Sequence, residues 1–205
     1  MRTHTKETQS QLTPDLALEI LKEGNDRFVR NLKANRNLLE QVNETSEGQF
    51  PFSVILSCID SRVPAELIFD QGLGDIFSIR IAGNFINEDI LGSMEFACKV
   101  AGSKLIVILG HSSCGAVKGA CDSVELGNLT QLLDKIQPAV HAVNETIDRT
   151  SKNKEFVQNV ADKNVELAMV ALADKSPVLR EMISNGEVGL VGAMYSVETG
   201  EVNFY

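Results

Sequence analysis

The sequence has few of the features that mark secreted, membrane-bound or nucleic-acid-binding proteins. It contains only 4 cysteines in 205 residues, too few for a disulfide scaffold, and a reducing cytoplasm fits such thiols. No apolar stretch approaches the roughly 20 residues that span a bilayer. The polar start, residues 1–8, lacks the apolar segment of a secretory signal. We therefore predict a cytoplasmic protein that does not bind a membrane.

Positive charge is also scarce. The chain has 19 Lys and Arg against 28 Asp and Glu, so its formal net charge is −9. No run of Lys or Arg forms a patch, and a nucleic-acid partner therefore has no electrostatic support. The hydrophobic fraction of 43% and the chain length suit a single domain over residues 1–205 with a substantial core.

Apolar runs of strand length alternate with segments of helical periodicity. Strands are predicted at 52–57, 76–81, 104–109 and 188–195, followed by an antiparallel edge strand at 202–204. Helices are predicted at 63–69, 87–101, 115–123, 128–147, 154–174 and 177–184. This alternation predicts an α/β fold, with a mainly parallel four-stranded sheet, helices on both faces and an antiparallel C-terminal edge strand.

The first 50 residues are expected to lie outside this alternation, as an N-terminal helical arm over residues 12–50. Residues 1–11 are predicted to be disordered, and 34–50 to be loop-like. Thr13 and Pro14 form a typical helix start, and an apolar stripe follows at helical spacing, so a helix is predicted over 14–33. The stripe consists of Leu16, Ile20, Leu21, Phe28 and Leu32.

Two short stretches rich in chemically reactive side chains directly follow predicted strands. They are Cys58-Ile59-Asp60-Ser61-Arg62 and Gly110-His111-Ser112-Ser113-Cys114-Gly115. Ligands of open α/β sheets bind beyond the carboxyl ends of the strands, so the two stretches are expected to converge. Cys58, His111 and Cys114 then supply two thiolates and one imidazole. Three protein ligands and one open position are typical of catalytic zinc.

Asp60 and Arg62 accompany this candidate metal set. Residues two apart in an extended segment project to the same side, so Cys58, Asp60 and Arg62 are expected to share a face. A carboxylate engaged by a guanidinium is less free to coordinate metal, and Asp60 could instead accept a hydrogen bond from zinc-bound hydroxide. Two thiolates nearly cancel the charge of Zn²⁺, so activity is expected to rise towards alkaline pH.

Less specific interpretations remain open from the residues alone. The gap of 53 residues between Cys58 and His111 is no standard metal motif, and Asp60 with Arg62 also fits an ordinary surface ion pair. Cys98 and Cys121 are expected to be structural, and His4 and His141 to lack a chemical role. A serine-hydrolase nucleophile elbow would need glycine at the position of Cys114.

The paired motifs Cys-x-Asp-x-Arg and His-x-x-Cys together resemble those of the β-class carbonic anhydrases. The resemblance covers almost the whole chain, through 23–28, 58–64, 80–84 and 110–115 to the segment around Tyr195. It implies reversible hydration of carbon dioxide to bicarbonate and a proton through a zinc-bound hydroxide. Cys58, His111 and Cys114 would hold one Zn²⁺ per subunit. Asp60 and Arg62 would be the catalytic dyad that keeps the fourth position for water or hydroxide.

The resemblance also implies a set of substrate-binding residues. Gln49 and the backbone N–H of Gly115 would donate hydrogen bonds to substrate, Ala82 would form part of an apolar wall, and Phe77 would come from a neighbouring subunit. Phe96 stands where plant-type members have a tyrosine, and Val100 replaces a nearby histidine, so the route of the proton is not implied. The expected assembly is a homo-oligomer, dimer or tetramer, whose N-terminal helices embrace the partner.

The resemblance leaves three further alternatives. A bacterial branch has a regulatory bicarbonate pocket of Trp, Arg and Tyr, and Arg80 and Tyr195 match two of these. Ile55 occupies the Trp position, so the plant-type, always-open site is favoured. The same zinc scaffold could instead hydrolyse carbonyl sulfide or carbon disulfide. A non-catalytic zinc or thiol binding protein is the alternative from another class, although such a protein would need neither Asp60 nor Arg62.

Overall fold

A computed structural model describes residues 2–144 and 147–205, and its centre is a five-stranded sheet. The strands are β1 (Ser53–Ser57), β2 (Ile76–Arg80), β3 (Leu105–His111), β4 (Gly189–Tyr195) and β5 (Val202–Phe204). Their order across the sheet is β2-β1-β3-β4-β5. The first four pair in parallel and β5 pairs antiparallel to β4. The predicted α/β fold, with four parallel strands and an antiparallel edge strand, is confirmed.

The described residues include ten α-helices. They are α1 (Lys6–Ser10), α2 (Pro14–Val29), α3 (Leu38–Glu44), α4 (Ala65–Ile68), α5 (Glu88–Glu95), α6 (Gly115–Cys121), α7 (Gly127–Asp134), α8 (Gln137–Ala142), α9 (Lys154–Lys175) and α10 (Pro177–Ser184). None of them is long and apolar enough to cross a membrane.

The central strands β1 and β3 are buried along their whole length because helices cover both faces of the sheet. On one face, Val54, Leu56 and Ile108 pack in an apolar cluster to which α5, α6, α8, α9 and α10 contribute. On the other face, Ile55 and Val107 pack with residues of α2 and α4. Alternate residues of each strand therefore belong to different cores, as the twofold repeat of an extended chain requires.

The N-terminal region is more ordered than the sequence predicted. Residues 6–10, expected to be disordered, form α1, and its Gln9 side chain donates hydrogen bonds to the backbone carbonyls of Pro51 (2.7 Å) and Ala101 (2.9 Å). Residues 34–50, expected to be a loop, contain α3, whose buried Gln41 accepts a hydrogen bond from the Leu73 N–H. Buried side-chain amides need such partners, so these contacts fix both segments to the loops that flank the sheet.

Helix α2 ends at Val29, earlier than the predicted residue 33. Only part of the predicted apolar stripe is buried against other residues of the same chain. Ala17 and Leu21 are fully buried against the sheet, whereas Leu16 and Leu32 are exposed. The helix begins as predicted, with Thr13 as its N-cap and Pro14 in its first turn.

Two predicted helices are interrupted. The helix expected at 87–101 continues from α5 into a π-helical turn, Phe96–Val100. The helix expected at 128–147 is divided into α7 and α8 next to Pro138, which cannot donate a backbone hydrogen bond. Residues 145–146 of that prediction lie outside the described residues. Strand β3 is longer than predicted, because His111 pairs with Tyr195 and so belongs to the strand.

Candidate metal centre

Three candidate ligands from two parts of the chain lie together at the carboxyl edge of the sheet. Cys58 directly follows β1, His111 ends the neighbouring strand β3, and Cys114 is the N-cap of α6. Their ligand atoms all lie within 4.8 Å of one another, and the two sulfurs are 4.0 Å apart. All three side chains are buried. The parallel pairing of β1 with β3 thus closes the 53-residue gap between Cys58 and His111.

The His111 ring has one satisfied and one unsatisfied nitrogen. Nδ1 lies 2.9 Å from the backbone carbonyl of Ser112, an acceptor, so Nδ1 carries the proton and donates it there. Nε2 therefore has a free lone pair, and it is buried without a hydrogen-bond partner among the described residues. An unpaired buried polar atom is costly, and a metal ion bound at Nε2 would remove that cost. The residues present fit a zinc ion, for which imidazole and thiolate are preferred ligands.

The two sulfurs need a positive partner if both are to be charged. The hydrogen bond shared with Cys114 is the main cause that lowers the pKa of the Cys58 thiol, and the hydrogen bond from the Gly83 N–H lowers it further. The pKa of the Cys114 thiol is raised, because its hydrogen bond to Cys58 and its burial disfavour a second negative charge. A bound cation would stabilise both thiolates together.

A tight turn brings Cys114 to this position. The backbone of Ser113 is left-handed, with φ of 56°. Ser112 is tied to the segment that follows β4, since its N–H donates to the Tyr195 carbonyl and its Oγ accepts from the Val197 N–H. Strand β3 is therefore followed at once by α6, and His111 and Cys114 face one point.

Asp60 and Arg62 form a bidentate pair beside the cluster. The Asp60 carboxylate accepts hydrogen bonds from Nε and Nη2 of Arg62 at 2.9 and 2.8 Å, and also from the Arg62 backbone N–H at 3.0 Å. The Arg62 side-chain hydrogen bond is the main cause that holds the pKa of the Asp60 carboxyl well below its usual range. Asp60 is therefore an anion at neutral pH, and its carboxylate is engaged by Arg62.

The segment after β2 supports Cys58 from one side. Gly83 and Asn84 both have left-handed backbones, and the Gly83 N–H donates to the Cys58 sulfur at 3.4 Å. On the other side of Gly83, its carbonyl accepts a hydrogen bond of 2.8 Å from the buried Asn164 side chain of α9. Asn164 was not predicted. The signal for it is an amide within the apolar face of a helix, where a polar side chain needs a specific partner.

The predicted substrate-binding residues fall into two groups. Ala82 is half-buried in the segment next to Cys58, and Gly115 is exposed at the start of α6 next to Cys114. Gln49 is exposed and precedes β1 by four residues, whereas Cys58 directly follows that strand. Phe77 of β2 and Phe96 contact each other edge to face, with ring centroids 6.2 Å apart. Phe77 and Phe96 line a groove beside β2 whose lining includes none of the three candidate ligands.

Comparison with known proteins identifies the family. The family model described as carbonic anhydrase matches residues 53–202, which include strands β1 to β4 and the whole candidate metal centre. The chain therefore belongs to the carbonic anhydrase family. It resembles carbonic anhydrase 2 of Mycobacterium tuberculosis, with 37% identity over 193 residues that cover 91% of this chain and 90% of the relative. The carbonic anhydrase of Mycolicibacterium smegmatis is 34% identical over 196 residues, 92% of each chain.

Solved structures specify the class. The β-carbonic anhydrase CcaA matches with a TM-score of 0.70 and 27% identity, over 92% of this chain and 94% of that chain. The β-carbonic anhydrase CafA of Aspergillus fumigatus matches with a TM-score of 0.71 and 26% identity, over 93% of this chain and 89% of that chain. The resemblance predicted from the two motifs is confirmed, and the protein is a β-class carbonic anhydrase.

Proposed function

We propose that the protein catalyses the reversible hydration of carbon dioxide to bicarbonate and a proton, and that Cys58, His111 and Cys114 hold one Zn²⁺ per subunit. The observation that carries the proposal is the buried cluster itself: a ring nitrogen of His111 lies within 4.8 Å of both sulfurs, and Nε2 has no hydrogen-bond partner among the described residues. Three ligands leave one coordination position for solvent, which distinguishes a catalytic zinc site from a structural one.

The chain's own residues supply the remaining parts of the reaction. Bound zinc supplies a Lewis acid that lowers the pKa of water at the open position. The Asp60 carboxylate is held by Arg62, and when zinc is bound it would accept a hydrogen bond from that water and orient it towards the substrate. Gly115 is the first residue of α6, whose first N–H groups have no partner within the helix, and we infer that its N–H donates to a substrate oxygen. Ala82 contributes an apolar surface, which suits uncharged carbon dioxide.

We infer that the active form is a homo-oligomer, dimer or tetramer. Among the described residues β2 is an edge strand, and a groove of about 660 Å³ runs beside it, lined by Phe77, Ile79 and Phe96. Phe96 is 52% exposed and nearby Val100 is 72% exposed. A second copy seated on this edge would cover these apolar side chains. It would also allow Gln49, Phe77 and Phe96 to act at the partner's site.

The assembly is tested by measuring molar mass in solution. The wild-type protein is expected to have a mass that is a multiple of 22.4 kDa, and Phe96→Asp is expected to shift it towards one chain, because a buried carboxylate would be costly. Val170→Asp on α9, with similar exposure, is the matched control and should leave the mass unchanged. A monomeric, fully active wild-type protein would rule out the inferred assembly.

The proposed reaction is tested by stopped-flow measurement of carbon dioxide hydration together with metal analysis. Purified protein is expected to contain one zinc per chain and to hydrate carbon dioxide faster as pH rises from about 6 to 9, because zinc with two thiolates acidifies water only moderately. A chelator should abolish turnover and added zinc should restore it. Zinc-containing protein that hydrolyses carbonyl sulfide or carbon disulfide but does not hydrate carbon dioxide would contradict the proposal.

The free cysteines and the net charge support a proposal for the compartment and the partners. We infer a cytoplasmic enzyme, since all four cysteines are free and the cluster requires reduced thiols. Its partners are the small-molecule substrates carbon dioxide and bicarbonate and further copies of this chain. The net charge of −9 supports neither a nucleic-acid nor a membrane partner.

A further inference from the structure

Arg80 lies at the carboxyl end of β2 and makes two hydrogen bonds to the segment that carries Cys58 and Asp60. Its Nε donates to the backbone carbonyl of Cys58 at 2.9 Å. Its Nη2 donates to the backbone carbonyl of Asp60 at 2.6 Å. One side chain of the edge strand thus contacts both a candidate metal ligand and the acid of the dyad.

These two carbonyls belong to the part of the chain where sheet pairing ends. The paired residues of β1 and β2 stop at Ser57 and Arg80, and the Ile81 N–H makes the last backbone bond, to the Ser57 carbonyl. Beyond that point the Cys58 carbonyl has no strand partner in the pairing of β1 with β2. There the guanidinium of Arg80, a side-chain group, donates the hydrogen bonds to the Cys58 and Asp60 carbonyls in place of a backbone N–H. Its planar fork of donors fixes two carbonyls at once, which a lysine ammonium cannot do with the same geometry.

We propose that Arg80 is a positioning residue, which fixes the Cys58–Asp60 backbone so that the Cys58 sulfur and the Asp60 carboxylate keep their places at the metal centre. This inference rests on the proposed zinc-dependent function. It differs from the alternative in which Arg80 and Tyr195 receive a bicarbonate ion, because two donors of the guanidinium are already engaged by backbone carbonyls.

The test compares Arg80→Lys and Arg80→Ala with Arg180→Lys, an exposed arginine of α10, as the matched control. The folded state of each variant is verified by thermal unfolding. We then measure the rate of zinc transfer to a coloured chelator, and kcat and KM for carbon dioxide hydration. Arg80→Lys is expected to lose zinc about 10-fold faster and to lower kcat about 10-fold with little change in KM, in the range found for groups that orient metal ligands.

Chemical rescue separates positioning from simple stabilisation. Guanidinium ion at non-denaturing concentration is expected to slow zinc loss and raise kcat of Arg80→Ala, whereas ammonium at the same concentration is not. If folded Arg80 variants retain zinc and turn over like the wild type, the inference is overturned, even if their melting temperatures fall. If Arg80→Lys changes only the response to added bicarbonate, Arg80 is an anion receptor and the inference is wrong. Wild-type protein without zinc or turnover would instead refute the proposed function itself.

Discussion

Replacement of Asp60 by asparagine is expected to lower kcat/KM for carbon dioxide hydration by about 100-fold or more, within the range for groups that position a transferred proton, while one zinc per chain is retained. Asparagine has nearly the same shape as aspartate, but one carboxylate oxygen is replaced by an NH₂ group. The variant therefore loses an acceptor for the hydrogen bond of water at the open position. It also loses the charge that pairs with Arg62.

The pH profile makes this test more specific. Because Arg62 holds the pKa of the Asp60 carboxyl well below its usual range, Asp60 stays ionised from about pH 6 to 9. The expected rise in rate towards alkaline pH therefore reflects the ionisation of a group other than Asp60. The hydration rate of the Asp60→Asn variant should depend on pH as that of the wild type does, but should be lower at every pH. Stopped-flow rates across this pH range, with zinc content measured on the same samples, provide the comparison.

A matched control separates the site from a general effect of charge. Asp26→Asn removes a carboxylate that also pairs with an arginine, Arg30 at 2.9 Å, on the exposed surface of α2. Exposed pairs of this kind contribute little, so the control should retain wild-type turnover. Unchanged turnover of Asp60→Asn would refute the role proposed for the dyad.

The second large effect is expected from the three candidate ligands. The single replacements Cys58→Ser, His111→Ala and Cys114→Ser each remove one of the three protein ligands. Each should therefore reduce the zinc content to below about a tenth of one ion per chain, because metal affinity depends on the full ligand set. Turnover should fall with the zinc. Carbonic anhydrases with three histidine ligands hold zinc with a different set of groups, so their rate constants do not apply to this centre.

Cys121→Ser is the matched control for the ligand variants. Cys121 is a free, half-buried thiol at the end of α6, and burial raises the pKa of its thiol to about 11. It lies outside the cluster of Cys58, His111 and Cys114. The control should keep both zinc and turnover. A Cys58→Ser or Cys114→Ser protein with full zinc content would show that the metal is held elsewhere.

Much of the fold could be predicted because buried parallel strands leave a simple sequence pattern. The apolar runs before Cys58 and before His111 are fully buried in β1 and β3. The order of apolar and polar segments was sufficient to predict helices on both faces. The convergence of Cys58 with His111 and Cys114 could be expected only as a consequence of strand pairing, since spacing along the chain does not specify it.

The features that were not predicted depend on partners distant in sequence. Gln9 is buried because its amide reaches carbonyls 42 and 92 residues away, and no local pattern indicates this. Asn164 contacts Gly83 across 81 residues. The π-helical turn at Phe96–Val100 differs from an α-helix only in its backbone hydrogen bonds. Local propensity carries no information about such contacts, and tertiary packing determines them.

Zinc-edge X-ray absorption of the purified wild-type protein tests the central claim most directly. The expected result is one zinc per chain with two sulfur neighbours at about 2.3 Å and one imidazole nitrogen at about 2.0 Å, completed by one oxygen. A spectrum without sulfur neighbours, one with four protein ligands and no solvent oxygen, or a protein without stoichiometric zinc would contradict a catalytic centre at Cys58, His111 and Cys114.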